Sequence, residues 1–216
     1  MAAARNVLLV PTKSAAWDEL GGASNLIGWR YRACHEDMCS YIESWEKFGS
    51  NVSFEEMYSR EHSLFGMFTA GVSCVESTCY ALHALGSHPK LLALAFGERE
   101  QRRCNPVYLK DCLATYPEAR SLTTALDLLT KSDEWVLWIG LRNRMTHRSN
   151  LPRIIQASVG AELPPARALH FAATSSTPAF ETDLANLETL FSWLSHSLRS
   201  LLVEGLALAN HPTNSS

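Results

Sequence analysis

The sequence predicts an all-α chain, an antiparallel helical bundle with a small irregular or β-hairpin insertion near residues 152–172. Three observations predict it. Phe65, Phe68, Val72, Val75, Cys79 and Leu82 recur at steps of three and four, the spacing that gives a helix one apolar face. Leu187, Phe191, Leu194, Leu198 and Leu201 repeat the pattern near the end of the chain. Between them, "PRIIQASVGAELPPARALHFAAT" lacks helical periodicity and reads as two short strands around a proline-rich turn. Hydrophobic residues make up 46% of the 216 positions and charged residues 19%, which is too apolar for a disordered chain. No apolar run approaches the roughly 20 residues that a bilayer span requires.

The elements follow in order. Residues 1–23 read as an N-terminal extension holding a short helix around "SAAWDEL". Ser24 and Asn25 offer caps for a helix from about Ser24 to Phe48, which Gly49 ends. A long helix from about Phe54 to Leu85 follows, opened by Ser53 and Glu56, the spacing of a capping box. Gly86, Pro89, Gly97 and Pro106 punctuate a connection with room for one short helix. "PVYLKDCLATY" and "EARSLTTALDLLTKSDEWVLWIGLRNRMTH" read as further helices, the second broken near Ser132 and ended by Ser149, Asn150 and Pro152. A terminal helix from about Phe180 to Ala209 closes a helical domain over residues 24–209, and residues 210–216 form a polar tail expected to fray.

The net charge is −3, so the whole chain does not advertise nucleic-acid binding, but its cations are unevenly placed. Between Glu134 and Glu162 there is no acid, while Arg142, Arg144, Arg148 and Arg153 all fall there. Lysine, arginine and histidine suit the last turn of a helix because they complement its negative end, which accounts for Arg144 and Arg148. It does not account for Arg142, which a helical wheel from Glu134 sets among Trp135, Trp138, Ile139 and Met145. A charge on an apolar face needs a partner, and Glu76, set among Phe65, Val72 and Cys79 with His83 two turns on, is the candidate. That pair reads first as a structural ion pair that fixes helix register, and otherwise as a means of aiming the guanidinium at a phosphate. Asn143 and His147 are four apart and share a helix face.

Arg142, Asn143 and His147 spell RNxxxH, which resembles the RX4-6H motif of the HEPN superfamily. The resemblance implies a bundle of four or five helices with the motif near the end of a late helix. It also implies a homodimer in which two motifs share a cleft, and metal-independent endoribonuclease activity of toxin and antiphage defence systems. Arg142, Asn143 and His147 would be catalytic, Glu76 would support them, and Arg144 and Arg148 would contact substrate. Partners would be RNA and an antitoxin or defence-system component. Ser149 stands where one subgroup carries tyrosine, so the chain does not resemble the RX4HXY members paired with nucleotidyltransferase antitoxins. Other members are non-catalytic, which leaves a module binding RNA, nucleotide or a partner protein as the alternative.

The chemistry suits these residue types. RNA carries its own nucleophile, the 2′-hydroxyl, so its cleavage needs a base, an acid and cations for the phosphorane, roles that histidine and arginine fill without a cofactor. His35 with Cys39, and Cys79 with His83, have i, i+4 spacing and would suit a Cys2His2 site. The spacing matches common zinc modules poorly and core positions account for both cysteines, so no metal is expected. The six cysteines lack the paired spacing of a secreted scaffold, and the opening apolar run before Pro11 is shorter than a secretory signal, so the expected location is cytoplasmic.

Overall fold

The computed structural model describes residues 15–49, 52–147, 169–171, 180–182 and 184–210, and its regular structure there is helical except for one pair of three-residue strands. In chain order the helices are α1 (Ala15–Phe48), α2 (Phe54–Gly86), α3 (Glu98–Arg103), α4 (Pro106–Leu113), α5 (Arg120–Lys131), α6 (Asp133–His147) and α7 (Leu184–Ala209). A short 3-10 turn at Pro117–Ala119 precedes α5, and strands β1 (Leu169–Phe171) and β2 (Phe180–Thr182) precede α7. The chain divides into two compact units. The first draws on Met1–Arg30, Ser73–Trp135 and Leu194–Ser216, the second on Tyr31–Val72 and Val136–Trp193.

The two helices expected before Gly49 are one. Ser24 does not cap a new helix; its hydroxyl donates back to the Leu20 carbonyl at 2.6 Å, a bond made inside a continuing helix. Trp17, Leu20, Ala23 and Ile27 are buried at steps of three and four straight through Gly21 and Gly22. Burial of that stripe outweighs the roughly 1 kcal/mol by which each mid-helix glycine disfavours the helix relative to alanine.

In the first unit the C-terminal half of α2 is enclosed on almost every side, with Cys74, Val75, Ser77, Thr78, Cys79, Ala81, Leu82, His83, Ala84 and Leu85 all buried. The single apolar face inferred from the sequence is therefore too narrow there. Thr78 tolerates burial because its hydroxyl donates to the Cys74 carbonyl at 2.9 Å. Gly205 of α7 lets the helices approach closely, since a Cβ at that position would lie 2.2 Å from Leu82 Cδ2. Asn105 caps α4 by accepting from the Tyr108 amide at 2.9 Å. Lys110 of α4 meets Asp127 of α5 at 3.1 Å. The break expected near Ser132 is present, and the Ser132 hydroxyl accepts from the Trp135 amide at 3.2 Å to start α6.

In the second unit the capping box at the start of α2 is reciprocal. The Glu56 amide donates to Ser53 Oγ at 3.2 Å, and the Ser53 amide donates to Glu56 Oε2 at 2.8 Å. These bonds favour the charged carboxylate and hold Glu56 below its usual range. The core gathers Cys34, Met38, Tyr41, Leu64, Met67, Phe68, Val72, Trp138 and Leu141. Phe65 is the member of the inferred α2 stripe that stays exposed. Trp138 is fully buried, edge-on to Phe68 with ring centroids 4.8 Å apart. Its indole lies on Gly71, where a Cβ would come within 2.5 Å of Cζ3. Gly71→Ala should therefore lower stability by about 1–3 kcal/mol despite the better helix propensity of alanine. Chemical denaturation measures this, and an unchanged or raised midpoint would show that the indole moves at no cost.

β1 and β2 pair antiparallel, with Leu169 opposite Thr182 and Phe171 opposite Phe180. The hairpin expected near 152–172 is thus displaced toward the C-terminus, and the proline-rich turn proposed for it lies outside the described residues. Its second strand occupies the start expected for the terminal helix. Residues 180–182 use their backbone bonds across the strand pair, and α7 begins only at Leu184.

Candidate functional site at the end of α6

Helix α6 carries the arginine, asparagine and histidine of the motif within its last six positions and ends, as described, at His147. The Thr146 hydroxyl donates to the Arg142 carbonyl at 2.8 Å, tying the final turn together. Asn143 is exposed and Arg142 is partly buried. The side chain of His147 and all of Arg148 lie outside the described residues.

The buried face of α6 differs from the one inferred from the sequence. Trp135, Trp138, Leu141 and Arg144 are its enclosed residues, whereas Ile139, Arg142 and Met145 are only partly covered. Successive steps of three drift back by about 60° each around the helix, so the enclosed sector turns away from Arg142 and ends on Arg144. Arg144, assigned to substrate contact by the resemblance, is 6% exposed in the single chain. Leu141 was the available signal. Set beside Trp138 it moves the centre of the apolar arc, and Arg142 then falls at the margin.

Glu76 belongs to the first unit and Arg142 to the second. Within its own unit Glu76 is partly buried and lines a groove with Arg30, Ser77 and Tyr80. Arg30, Tyr80 and Gly22 were not singled out from the sequence, because nothing in the spacing of α1 and α2 tells which faces meet around a hollow.

His83, one turn beyond Cys79, is 1% exposed, its ring 5.2 Å from Phe96 and 5.8 Å from Tyr108. Burial holds its imidazole below the ordinary histidine value, and the same cause acts on His88. Such a group binds its proton more readily once the chain unfolds. The unfolded state therefore gains protons below about pH 6.5, and stability falls as pH drops from there. Tm should be lower at about pH 5 than at about pH 7.5, and His83→Phe should narrow that gap. An equal gap in the variant would remove His83 from the account.

The six cysteines are free thiols, with Cys34, Cys74 and Cys79 buried. His35 and Cys39 touch, Cys39 Sγ lying 3.7 Å from His35 Nε2, but they belong to the second unit and Cys79 and His83 to the first. Among the described residues no group of three or more His, Cys, Asp or Glu side chains is placed to hold a metal ion. Nor, among them, is any helix long and apolar enough to cross a membrane. Compared with protein-family models, with curated proteins and with solved structures, the chain matches none.

Proposed function

We propose that this protein is a metal-independent endoribonuclease of the HEPN type, acting as a homodimer and serving as a toxin or antiphage defence effector. The observation that carries the reading is the position of RNxxxH in the final turns of a late helix of an all-helical chain, with Asn143 open to solvent. In the proposed step His147 takes the proton of the 2′-hydroxyl, and the 2′-oxygen attacks the adjacent phosphorus. The bond to the 5′-oxygen then breaks as a second imidazolium protonates the leaving oxygen. The products are a 2′,3′-cyclic phosphate and a 5′-hydroxyl. Arg142 stabilises the charge that develops on the phosphoryl oxygens, and Asn143 orients the imidazole or the substrate.

Two protomers suit this chemistry better than one. Positions five apart on an α-helix are displaced by about 140°, so an arginine and a histidine at this spacing leave the helix in different directions. Pairing across a two-fold axis lets each imidazole meet the guanidinium of the other chain and supplies one acid and one base. The decisive experiment incubates single-stranded RNA with the purified protein in EDTA and identifies the ends formed. Cyclic phosphate ends, and no cut where a 2′-deoxynucleotide replaces the nucleotide before the scissile bond, support the proposal. Loss of cleavage in EDTA, or cleavage at the deoxy position, overturns it. RNA held without turnover selects the non-catalytic binding module instead.

A further inference from the structure

The first unit holds a groove of about 360 Å³ between the N-terminal part of α1 and the C-terminal part of α2, with Cys104 at one side. Its volume is that of a small-molecule site, and its lining is mostly apolar with a few charged groups set into it. Arg30 is the cation. Through Nη1 its guanidinium donates to the Ser73 carbonyl at 3.1 Å and to the Ser77 hydroxyl. Both of these bonds use one nitrogen. The remaining guanidinium nitrogens have no acceptor among the described residues, so a planar donor edge is held in place and left unused. Glu19 and Glu76 also line the groove, and Glu19 is oriented by the Tyr80 hydroxyl, which donates to Oε2 at 2.9 Å. Burial, with Glu19 beside it, pushes the Tyr80 phenol up to about 12, so it remains a donor at any ordinary pH.

Gly22, also in the lining, lies in the middle of the same continuous helix as Glu19 and Arg30. The glycines at 66, 71 and 205 each face an atom that a Cβ would meet at 2.5 Å or less; at Gly22, as at Gly21 and Gly28 of the same helix, a Cβ would meet nothing within 4 Å, and of these three Gly22 lines the groove. Neither packing nor a left-handed backbone explains the absence of a side chain there, since among the described glycines it is Gly49 whose φ is positive. What its absence does is widen the groove, beside Ala23 and the exposed Leu26.

We infer that this groove is a binding site for a free α-amino acid with an apolar side chain. The carboxylate would take the open edge of Arg30, the ammonium would lie against Glu19, and the side chain would fill the space over Gly22 beside Leu26. A guanidinium edge and a carboxylate set around one apolar hollow match the two heads of a zwitterion better than a simple anion or a phosphate. The site is separate from the RNA chemistry proposed for α6 and stands or falls without it.

The test is isothermal titration of the full-length protein with L-leucine, alongside isovalerate and isopentylamine, each of which keeps the branched chain and one charged head. Saturable binding of leucine is expected, weakened roughly tenfold or more when either head is missing, as charge-assisted bonds of this kind require. Arg30→Ala and Gly22→Val should each weaken leucine binding by a similar factor. Gly22→Val places its branched side chain in open space on a helix, so it reports on the groove even if Arg30→Ala fails to fold. No saturable binding up to ~10 mM leucine overturns the inference. So does unchanged affinity in folded Gly22→Val, or equal affinity for leucine and a one-headed analogue.

Discussion

His147→Ala is expected to slow RNA cleavage by about two to four orders of magnitude, the usual contribution of a positioned general acid or base. Arg142→Ala should cost about two to three orders, as loss of a donor aimed at developing charge does elsewhere. Single-turnover cleavage of a labelled RNA measures both, with circular dichroism as the check on folding. Arg142 is partly buried, so its alanine variant leaves an ambiguity that Arg142→Lys removes. Lysine keeps the charge and most of the length but not the planar fork, and a phosphoryl oxygen pair would distinguish the two. Activity near wild type in His147→Ala would end the nuclease reading. Because the step uses one imidazole from each protomer, heterodimers of wild-type and His147→Ala chains should lose most of the activity rather than half of it.

Arg60→Ala should destabilise the protein by about 3 kcal/mol or more, close to the upper range for single substitutions. Arg60 is 1% exposed on α2 and closes the end of α1. Its Nε donates to Ser44 Oγ at 2.8 Å, Nη2 to the Ser44 carbonyl at 2.6 Å and Nη1 to the Gly49 carbonyl at 2.7 Å. Its plane covers the Trp45 indole, 4.3 Å from the ring centroid. The last carbonyls of a helix have no intrahelical donor, and α1 meets that need from two sides. Gly49, at φ 57°, turns its amide back to the Trp45 carbonyl at 2.9 Å, and the guanidinium reaches the Ser44 and Gly49 carbonyls. Removing it strands buried acceptors and leaves a void beside the indole. A Tm drop of about 6–12 °C is the corresponding observable for a chain of this size. Arg60→Lys should recover less than half of the loss, since a single ammonium cannot span three acceptors in one plane. A loss below about 1 kcal/mol in Arg60→Ala would mean that water replaces the guanidinium without penalty.

Local signals were legible and faces were not. The capping box at Ser53 and Glu56, the break at Ser132 and the short helix before Pro106 depend on groups three or four residues apart, so the sequence holds both partners of each interaction. The identity of the buried arginine is a different kind of fact. Arg60 has Glu56 one turn before it, the spacing of a solvent-exposed pair, yet its bonds reach 11 and 16 residues back along the chain. Arg144 carried the look of a helix-end cation and is enclosed, while Arg142, set among apolar residues by the wheel, lies at the edge of the covered arc. A wheel gives angles between residues; it does not give the direction from which a neighbour arrives.

The sequence by itself determined that this chain is helical, where most of its helices begin and end, and that its motif residues lie on the last turns of one of them. Periodicity and capping act within a few residues and need nothing else. Only the tertiary structure decided that α1 runs unbroken through Gly21 and Gly22, that Phe180–Thr182 pairs as a strand, and that Arg30 and Gly22 border one hollow. Each of these depends on what packs against the segment, because the free energy of burying a face is set by the neighbour that covers it, and no single stretch of chain contains both sides of that contact.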